Sequence, residues 1–168
     1  MPNYTTPPTV IAGQPLPATD WNTKIRDSME ALAKPSRCKV SRAAVQSIPN
    51  NAITPISWTA EDYDVDGMFA IGTPTDLVAP VAGLYQVIFN CGFANAAAGA
   101  RQWSIALGGV NIAQVELPGS SGTFQGVVVT VEQVAPAGGI FTCRAFQNSG
   151  AALNATTPLS ASVRLVAR

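Results

Sequence analysis

The sequence contains no histidine and has few charged residues. Only 12% of the residues are charged, which is about half the share usual in a soluble globular protein. The absence of histidine removes the commonest general base and metal ligand. Ten basic residues balance ten acidic ones, and no basic cluster with interleaved aromatics occurs, so nucleic-acid binding is not expected. So little charge indicates that part of the surface is buried against other copies or a larger assembly.

Long apolar runs and paired cysteines are also missing. No stretch of about 18 consecutive apolar residues occurs, and no charged segment precedes an apolar one near the start. We therefore expect neither a membrane partner nor a signal peptide. Cys38, Cys91 and Cys143 are odd in number and far apart, unlike the close pairs of zinc and redox sites. The sequence predicts buried free thiols and no cofactor.

The first 35 residues differ in composition from the rest, which predicts an N-terminal anchor over residues 1–35 and a single domain over residues 36–168. Five prolines lie among Thr, Gly and Ala within residues 2–18, a composition that favours an extended arm. A helix is then predicted from Thr19 or Asp20, both good N-caps, to Ala33, before Pro35. Its apolar residues form one stripe: Trp21, Ile25, Met29 and Leu32.

A helix of about 14 residues is marginal alone in water, so this one needs a partner. The apolar stripe fits two partners. One is the same helix from other copies around a symmetry axis, and the other is the base of the following domain. We favour association of the helices.

From Arg37 onward, short apolar runs are interrupted every eight to twelve residues by Gly, Pro, Asn or Ser, which is typical of a β sandwich. The alternation from Tyr85 to Phe93 predicts a long strand with one buried face. Gly108 and Gly109 predict a tight hairpin turn. Further strands are predicted at residues 127–131, 140–146 and 161–166.

The segment from Trp58 to Phe93 resembles the signature of complement component 1q-like domains, relatives of the tumour necrosis factor jelly roll. The matching residues are Trp58, Asp64, Phe69, Leu77 and the run Gly83-Leu84-Tyr85-Gln86-Val87-Ile88-Phe89. Trp58, Leu77 and Val87 stand where that pattern has phenylalanine. The resemblance implies a ten-stranded antiparallel jelly roll that forms a tight homotrimer with aromatics near the three-fold axis. For the core and that axis it suggests Trp58, Phe69, Tyr85, Phe89 and Phe93.

Residues 9–35 resemble the N-terminus of minor tail and fibre-like proteins of tailed phages. The resemblance rests on Thr9, Gly13, the run Asn22-Thr23-Lys24-Ile25-Arg26-Asp27 and Leu32 before Pro35. It implies a non-enzymatic structural protein of a bacteriophage virion, assembled in the host cytoplasm as a decoration, short-fibre or minor tail protein. Its partners would be capsid or tail proteins, bound through residues 1–35. The alternative is a host receptor-binding module that recognises a glycan or protein of the cell surface.

Clustered acids raise the question of a cation site. Glu61 precedes Asp62, Asp64 and Asp66, and hard cations take such oxygens. The spacing matches no known calcium loop, so Asp62, Asp64 and Asp66 are weak candidates and an acidic turn between strands is preferred.

Candidate catalytic residues are equally weak. Glu116 and Glu132 are expected at exposed positions of separate strands. Ser120 and Ser121 have no histidine to activate them, and Gly119 to Gly122 are expected to form a flexible loop. Enzymatic activity is therefore not expected. Four aromatics fit either the core and interface, which we favour, or sugar stacking: Trp58, Tyr63, Trp103 and Phe124.

Overall fold

The computed structural model describes residues 17–20, 25–26, 29–30, 33–122 and 124–168. The side chains of Asp20, Thr157 and Pro158 are outside this description. The chain divides into two units with the boundary between Pro35 and Ser36, and each unit is presented by itself.

In the N-terminal unit, helix α1 is described over Ala18–Asp20, so the helix starts one or two residues before the predicted position. Met29, Glu30 and Ala33 are also helical. The Lys34 amide donates to the Glu30 carbonyl at 2.9 Å, a distance typical of a helical bond. In the part of the chain that the structure describes, no helix is long and apolar enough to cross a membrane.

The second unit is built from strands packed as two antiparallel sheets. The strands are β1 Arg37–Arg42, β2 Gln46–Ile48, β3 Thr54–Pro55, β4 Ala60–Asp64, β5 Leu77–Val78, β6 Gly83–Phe93, β7 Ala96–Leu107, β8 Val110–Ser120, β9 Gln125–Ala135, β10 Ile140–Gln147 and β11 Leu153–Ala167. Sheet 1 has the order β4-β1-β11-β6-β9, with β2 also pairing β11. Sheet 2 has the order β3-β10-β7-β8, with β5 also pairing β10.

The predicted strands are confirmed, and most of them are longer than the sequence pattern indicated. In β6, Tyr85, Val87, Phe89, Cys91 and Phe93 are buried, so the predicted alternation places every second side chain in the core. Gly108 and Gly109 connect β7 to β8 with φ angles of 56° and 87°. Glycine adopts these positive values without strain, which fixes a tight hairpin at this point.

Two local predictions were wrong. The acidic residues Glu61, Asp62 and Asp64 lie on strand β4, which pairs with β1, and are not a turn between strands. Gly119 and Ser120 end strand β8 and are not part of a flexible loop. A Cβ atom at Gly119 would be 2.6 Å from the carbonyl oxygen of Ala98. Glycine is needed there because a neighbouring strand approaches closely.

The core lies between the two sheets and is dominated by aromatic and branched side chains. Its largest fully buried apolar members are Trp58, Trp103, Tyr85, Phe89, Phe93 and Phe141. Rings from opposite sheets contact one another, such as Tyr85 and Phe141 with centroids 5.8 Å apart. Every second residue along the strands thus faces inward, and together these residues form one continuous core.

Candidate interaction surfaces

The aromatic residues suggested for the core and trimer axis all lie in the interior of the single chain. Trp58, Tyr85, Phe89 and Phe93 are at most 1% exposed, and Phe69 is 9% exposed. The rings of Trp58 and Phe89 meet edge to face at 84° with centroids 6.2 Å apart. Because these side chains are covered by their own chain, they offer no surface to a second copy. Any contact between copies must use other residues.

The three weak candidates for a metal site have separate partners. Asp62 forms an ion pair with Lys39 at 2.9 Å and accepts a hydrogen bond from Ser41 Oγ at 2.8 Å. Asp64 accepts from the Phe69 amide at 2.8 Å, and Asp66 accepts from Ser36 Oγ. Among the described residues, no three side chains of cation-binding type come together. The carboxylates therefore hold β4 and the segment after it in place.

Lys39 and Asp62 influence one another's protonation. The hydrogen bond from Lys39 lowers the pKa of Asp62, with a smaller contribution from Ser41. The same contact raises the pKa of Lys39. Both groups are solvent-accessible, so the pair contributes little to stability.

All three cysteines are buried free thiols, as predicted. Burial raises the pKa of Cys91 to about 12, and burial, followed by the charge of Asp64, raises the pKa of Cys38 to about 12. Burial also raises the pKa of Cys143. A thiol that stays protonated is a poor nucleophile, so these residues are packing groups of the core.

The outer face of sheet 1 carries the side chains that alternate with the core residues. Its members are Leu84, Gln86, Ile88 and Asn90 on β6, Val128, Thr130, Glu132 and Val134 on β9, Ser160, Ser162, Arg164 and Val166 on β11, and Arg37, Lys39 and Ser41 on β1. Val128 is 60% exposed and Val134 is 65% exposed. Small, uncharged and apolar groups prevail across β6 and β9, where a free surface would normally carry more charge.

The charges of this face are segregated. Arg37 and Arg164 are register partners on β1 and β11, and both are exposed. The guanidinium of Arg37 lies 5.8 Å from the centre of the Tyr63 ring. Glu132 lies in the same row of this face on the edge strand β9, separated from Arg164 by Gln86 of β6, whereas Glu116 lies on the edge strand β8 of sheet 2. Within the described ranges, neither glutamate forms an ion pair, and neither does Arg164.

A half-exposed aromatic ring extends the outer face of sheet 1. Gly92 and Gly126 are register partners, and the ring of Phe124 lies against both of them. A Cβ atom at Gly92 would overlap this ring. Because neither glycine has a side chain, the ring of Phe124 occupies the space above them on the sheet.

The other surface of interest is the end of the sandwich opposite to Ser36, where the second unit begins. Segments 49–53, 96–100 and 148–152 meet there and are called the distal tip. Gln147 is fully buried beneath it. The Gln147 amide donates to the carbonyls of Ile48 at 3.0 Å and Ala151 at 2.8 Å, and it accepts from the Ser149 amide and hydroxyl at 2.8 and 2.6 Å. One side chain thus ties two segments of the tip together.

Arg101 is also fully buried beneath the distal tip and lies opposite Gln147 in register. Its guanidinium donates to the carbonyls of Ala96 at 2.8 Å, Ala98 at 3.0 Å and Ala100 at 3.0 Å. No described carboxylate pairs with it, and its Nε is buried without a hydrogen-bond partner among the described residues. Burial lowers the pKa of Arg101. Three backbone carbonyl groups thus stabilise the positive charge of Arg101, and no described carboxylate acts as its counter-ion.

Further hydrogen bonds join the segments of the distal tip to one another. Asn50 Oδ1 accepts from the Gly150 amide at 2.8 Å, and the Asn51 amide donates to the Gln147 carbonyl at 2.8 Å. Asn148 Oδ1 accepts from the Ala100 amide. The sequence pattern did not single out Arg101 or Gln147, because a buried polar residue inside an apolar strand has no periodic signal.

Of the predicted helix stripe, Ile25 and Met29 are described, whereas Trp21 and Leu32 lie outside the described residues. Met29 is exposed and Ile25 is partly buried. Together with Arg26, Glu30 and Ala33, they line an open depression on the helix surface.

The sequence matches no protein-family model, and no curated protein matches it. Several solved structures are similar in fold. Murine APRIL, in a crystal structure at pH 8.0, has a TM-score of 0.62 at 12% identity, with 79% of this chain and 100% of that chain covered. The globular domain of zebrafish complement 1qA protein has a TM-score of 0.56 at 15% identity, with 80% and 99% covered.

Eiger TNF from S. frugiperda has a TM-score of 0.56 at 10% identity, with 80% of this chain and 94% of that chain covered. At these identities the similarity shows the fold. The second unit is an antiparallel jelly roll of the C1q and TNF type, which confirms the predicted fold class. The described residues form eleven strands in place of the expected ten, and two of these strands, β3 and β5, are only two residues long.

Proposed function

We propose that this chain is a non-enzymatic structural module that assembles as a homotrimer through the outer face of sheet 1. The observation that carries the proposal is that the charges without an ion-pair partner among the described residues lie towards opposite edges of a largely uncharged surface. Arg37 and Arg164 lie side by side on β1 and β11, while Glu116 and Glu132 occupy β8 and β9.

The two arginines destabilise the free chain, because like charges placed directly opposite in neighbouring strands repel. A carboxylate from another copy relieves this repulsion. Within one chain, the strands β11 and β6 separate Glu132 from Arg37, and Glu116 lies on the other sheet, so neither glutamate is a neighbour of Arg37. Glu116 or Glu132 can form an ion pair with Arg37 of another copy when the β8 and β9 side of one copy contacts the β1 and β11 side of the next. Such a heterologous contact generates a ring when the rotation from one copy to the next is a third of a full turn.

Apolar side chains supply the area for this contact. Val128, Val134 and the ring of Phe124 are exposed in the single chain, and they lie along β9 beside the neutral residues of β6. Burial of a valine that is 60% or 65% exposed stabilises an interface by about 1 kcal/mol. The number three comes from the C1q-type resemblance of residues 58–93.

We further propose that the trimer belongs to a tailed-phage virion, as a decoration, short-fibre or minor tail protein. Residues 1–35 would bind it to the capsid or tail. Its support is the resemblance of residues 9–35 to phage leaders. Three linked anchors multiply the affinity of each one. The exposed Met29 and the depression beside it supply an apolar surface for the same helix of the other copies or for a virion protein.

Light scattering on the full chain tests the assembly. The wild type is expected at about three times 17.4 kDa. Val128→Lys and Val134→Lys place a charge in the contact and are expected to give monomers. Ile71→Lys is the matched control, because Ile71 is 69% exposed in a loop outside both sheets. A monomeric wild type, or a trimer that tolerates both valine substitutions, would contradict the proposed interface.

A charge exchange tests the pairing itself. Glu132→Arg and Arg164→Glu are each expected to weaken the trimer by about tenfold or more, which corresponds to about 1.4 kcal/mol. The double variant restores opposite charges across the contact and is expected to recover most of the loss. Failure of the double variant to recover would show that the two groups do not meet.

Purified particles of the phage that encodes the chain test the virion role. An antibody against the jelly roll is expected to label intact particles, and a chain without residues 1–35 is expected to remain trimeric but unbound. Absence of the protein from purified particles would contradict the virion role without affecting the trimer.

A further inference from the structure

The distal tip carries no charged residue. Segments 49–53, 96–100 and 148–152 consist of Ala, Asn, Gly, Ile, Pro and Ser, and the flanking stretches 43–60 and 145–163 are also free of charge. Many of these side chains are exposed, among them Asn51, Asn148 and Ile53. The exposed surface of the tip is therefore a neutral mixture of amide, hydroxyl and backbone groups with one large apolar side chain.

This neutral surface is held rigidly from below. Arg101 and Gln147 are both fully buried, and together they make seven hydrogen bonds to the segments of the tip and their strand ends. A buried guanidinium without a counter-ion stabilises a fold poorly compared with an apolar core residue. The three hydrogen bonds of Arg101 nevertheless fix the shape of the 96–100 segment.

Asn51 presents an exposed amide on this surface. It is the one non-glycine residue in the described chain with a positive φ angle, at 58°. After glycine, asparagine is among the residues that adopt this angle most readily, so the turn at residues 50–51 accommodates Asn51 with its side chain. The Asn51 side chain is exposed, and its amide offers a donor and an acceptor to solvent.

We propose that the distal tip is a binding surface for a neutral glycan. Sugar hydroxyls both donate and accept, which matches exposed amides and backbone groups. The apolar face of a sugar ring matches Ile53, which is 57% exposed. An acidic sugar finds no exposed cation in these segments. A protein partner would usually be met by Trp, Tyr or Arg anchors, and the three segments contain none at their surface. Rigid loops reduce the entropy lost on binding.

The experiment uses the full-length protein on a dense glycan array that presents neutral hexose and N-acetylhexosamine oligosaccharides beside sialylated and uronic-acid ones. Dense presentation allows several tips to bind at once and makes weak sites visible. The wild type is expected to bind neutral members and not acidic ones. Asn51→Gly keeps the backbone angle and removes the amide, and Ile53→Ala removes the apolar contact. Each is expected to lower binding at least tenfold.

Ile71→Ala is the matched control and is expected to bind as the wild type, since Ile71 is a similarly exposed isoleucine outside the tip. No binding to any neutral glycan, binding to acidic glycans alone, or binding unchanged by Asn51→Gly and Ile53→Ala would overturn the proposal. Light scattering on the same samples reports assembly separately, so a failure of the trimer and a failure of glycan binding are distinguishable.

Discussion

Arg101 and Gln147 face each other in register on β7 and β10, and both side chains are fully buried. Each is surrounded by backbone groups of the distal tip. The two residues replace the apolar pair that the surrounding core would predict at this position. The end of the jelly roll is consequently fixed by directional bonds, whose loss should have local effects.

We predict that Arg101→Met loosens the 96–100 segment. The methionine fills part of the side-chain volume but leaves the carbonyls of Ala96, Ala98 and Ala100 without their donors. Buried groups that lose a partner destabilise a protein by about 1–3 kcal/mol. Urea unfolding measures this loss, and hydrogen exchange should show reduced protection in residues 96–100 but not in β6. Unchanged protection of residues 96–100 would mean that Arg101 does not organise this segment.

A second prediction concerns Phe124 and the two glycines under its ring. Gly92→Ala is expected to destabilise the protein by about 1–3 kcal/mol, because the new methyl group displaces the ring. In a Phe124→Ala background the same substitution should destabilise the protein less, because of the close atoms only the Gln125 carbonyl oxygen, at 3.0 Å, remains, and the coupling energy of this double-mutant cycle measures the contact. Gly72→Ala is the control, since Gly72 has no atom within 4 Å of an added Cβ. Additive effects would contradict the contact.

A third prediction concerns the aromatic core. Phe89 is fully buried against Trp58, so Phe89→Ala is expected to lower the free energy of unfolding by about 3–5 kcal/mol. Ile71→Ala, at an exposed position, should change it by less than about 0.5 kcal/mol. Both values come from denaturant unfolding at one fixed protein concentration, because assembly makes stability concentration-dependent. Equal effects of the two substitutions would be inconsistent with the packing.

A fourth prediction follows from the buried thiols. The pKa of Cys91 is raised from 9.0 to about 12 in the folded chain. The folded state therefore keeps its proton while the unfolded state loses it. Stability from this thiol is complete below pH 9 and is lost as the pH rises toward 12, with a slope of about 1.4 kcal/mol per pH unit.

Urea unfolding between pH 8 and pH 11 under reducing conditions measures that slope. Cys91→Ala should be less stable at pH 8 but should lose stability less steeply above pH 9. Parallel curves for the variant and the wild type would show that Cys91 does not contribute to the alkaline loss.

The sequence by itself determined the architecture of the second unit. The period-two alternation of residues 85–93 requires a strand with one buried face, and Gly108-Gly109 requires a tight turn. These signals are local, so they are readable without the fold. The spacing of the three cysteines is also readable from the sequence, and it lacks the close pairs that zinc and redox sites require. The family-like segment from Trp58 to Phe93 correctly indicated the jelly roll, because its aromatics are the interior of the sandwich.

Only the tertiary structure decided which residues meet across the sheets. It placed Glu61, Asp62 and Asp64 on a strand, because β1 supplies pairing groups that no local pattern reveals. It made Gly119 a strand residue, because β7 passes close to it. It buried Arg101 and Gln147 beneath a neutral tip, and it set Arg37 beside Arg164. Each of these depends on residues far apart in the chain, and their proximity follows from sheet register, which sequence periodicity alone does not specify.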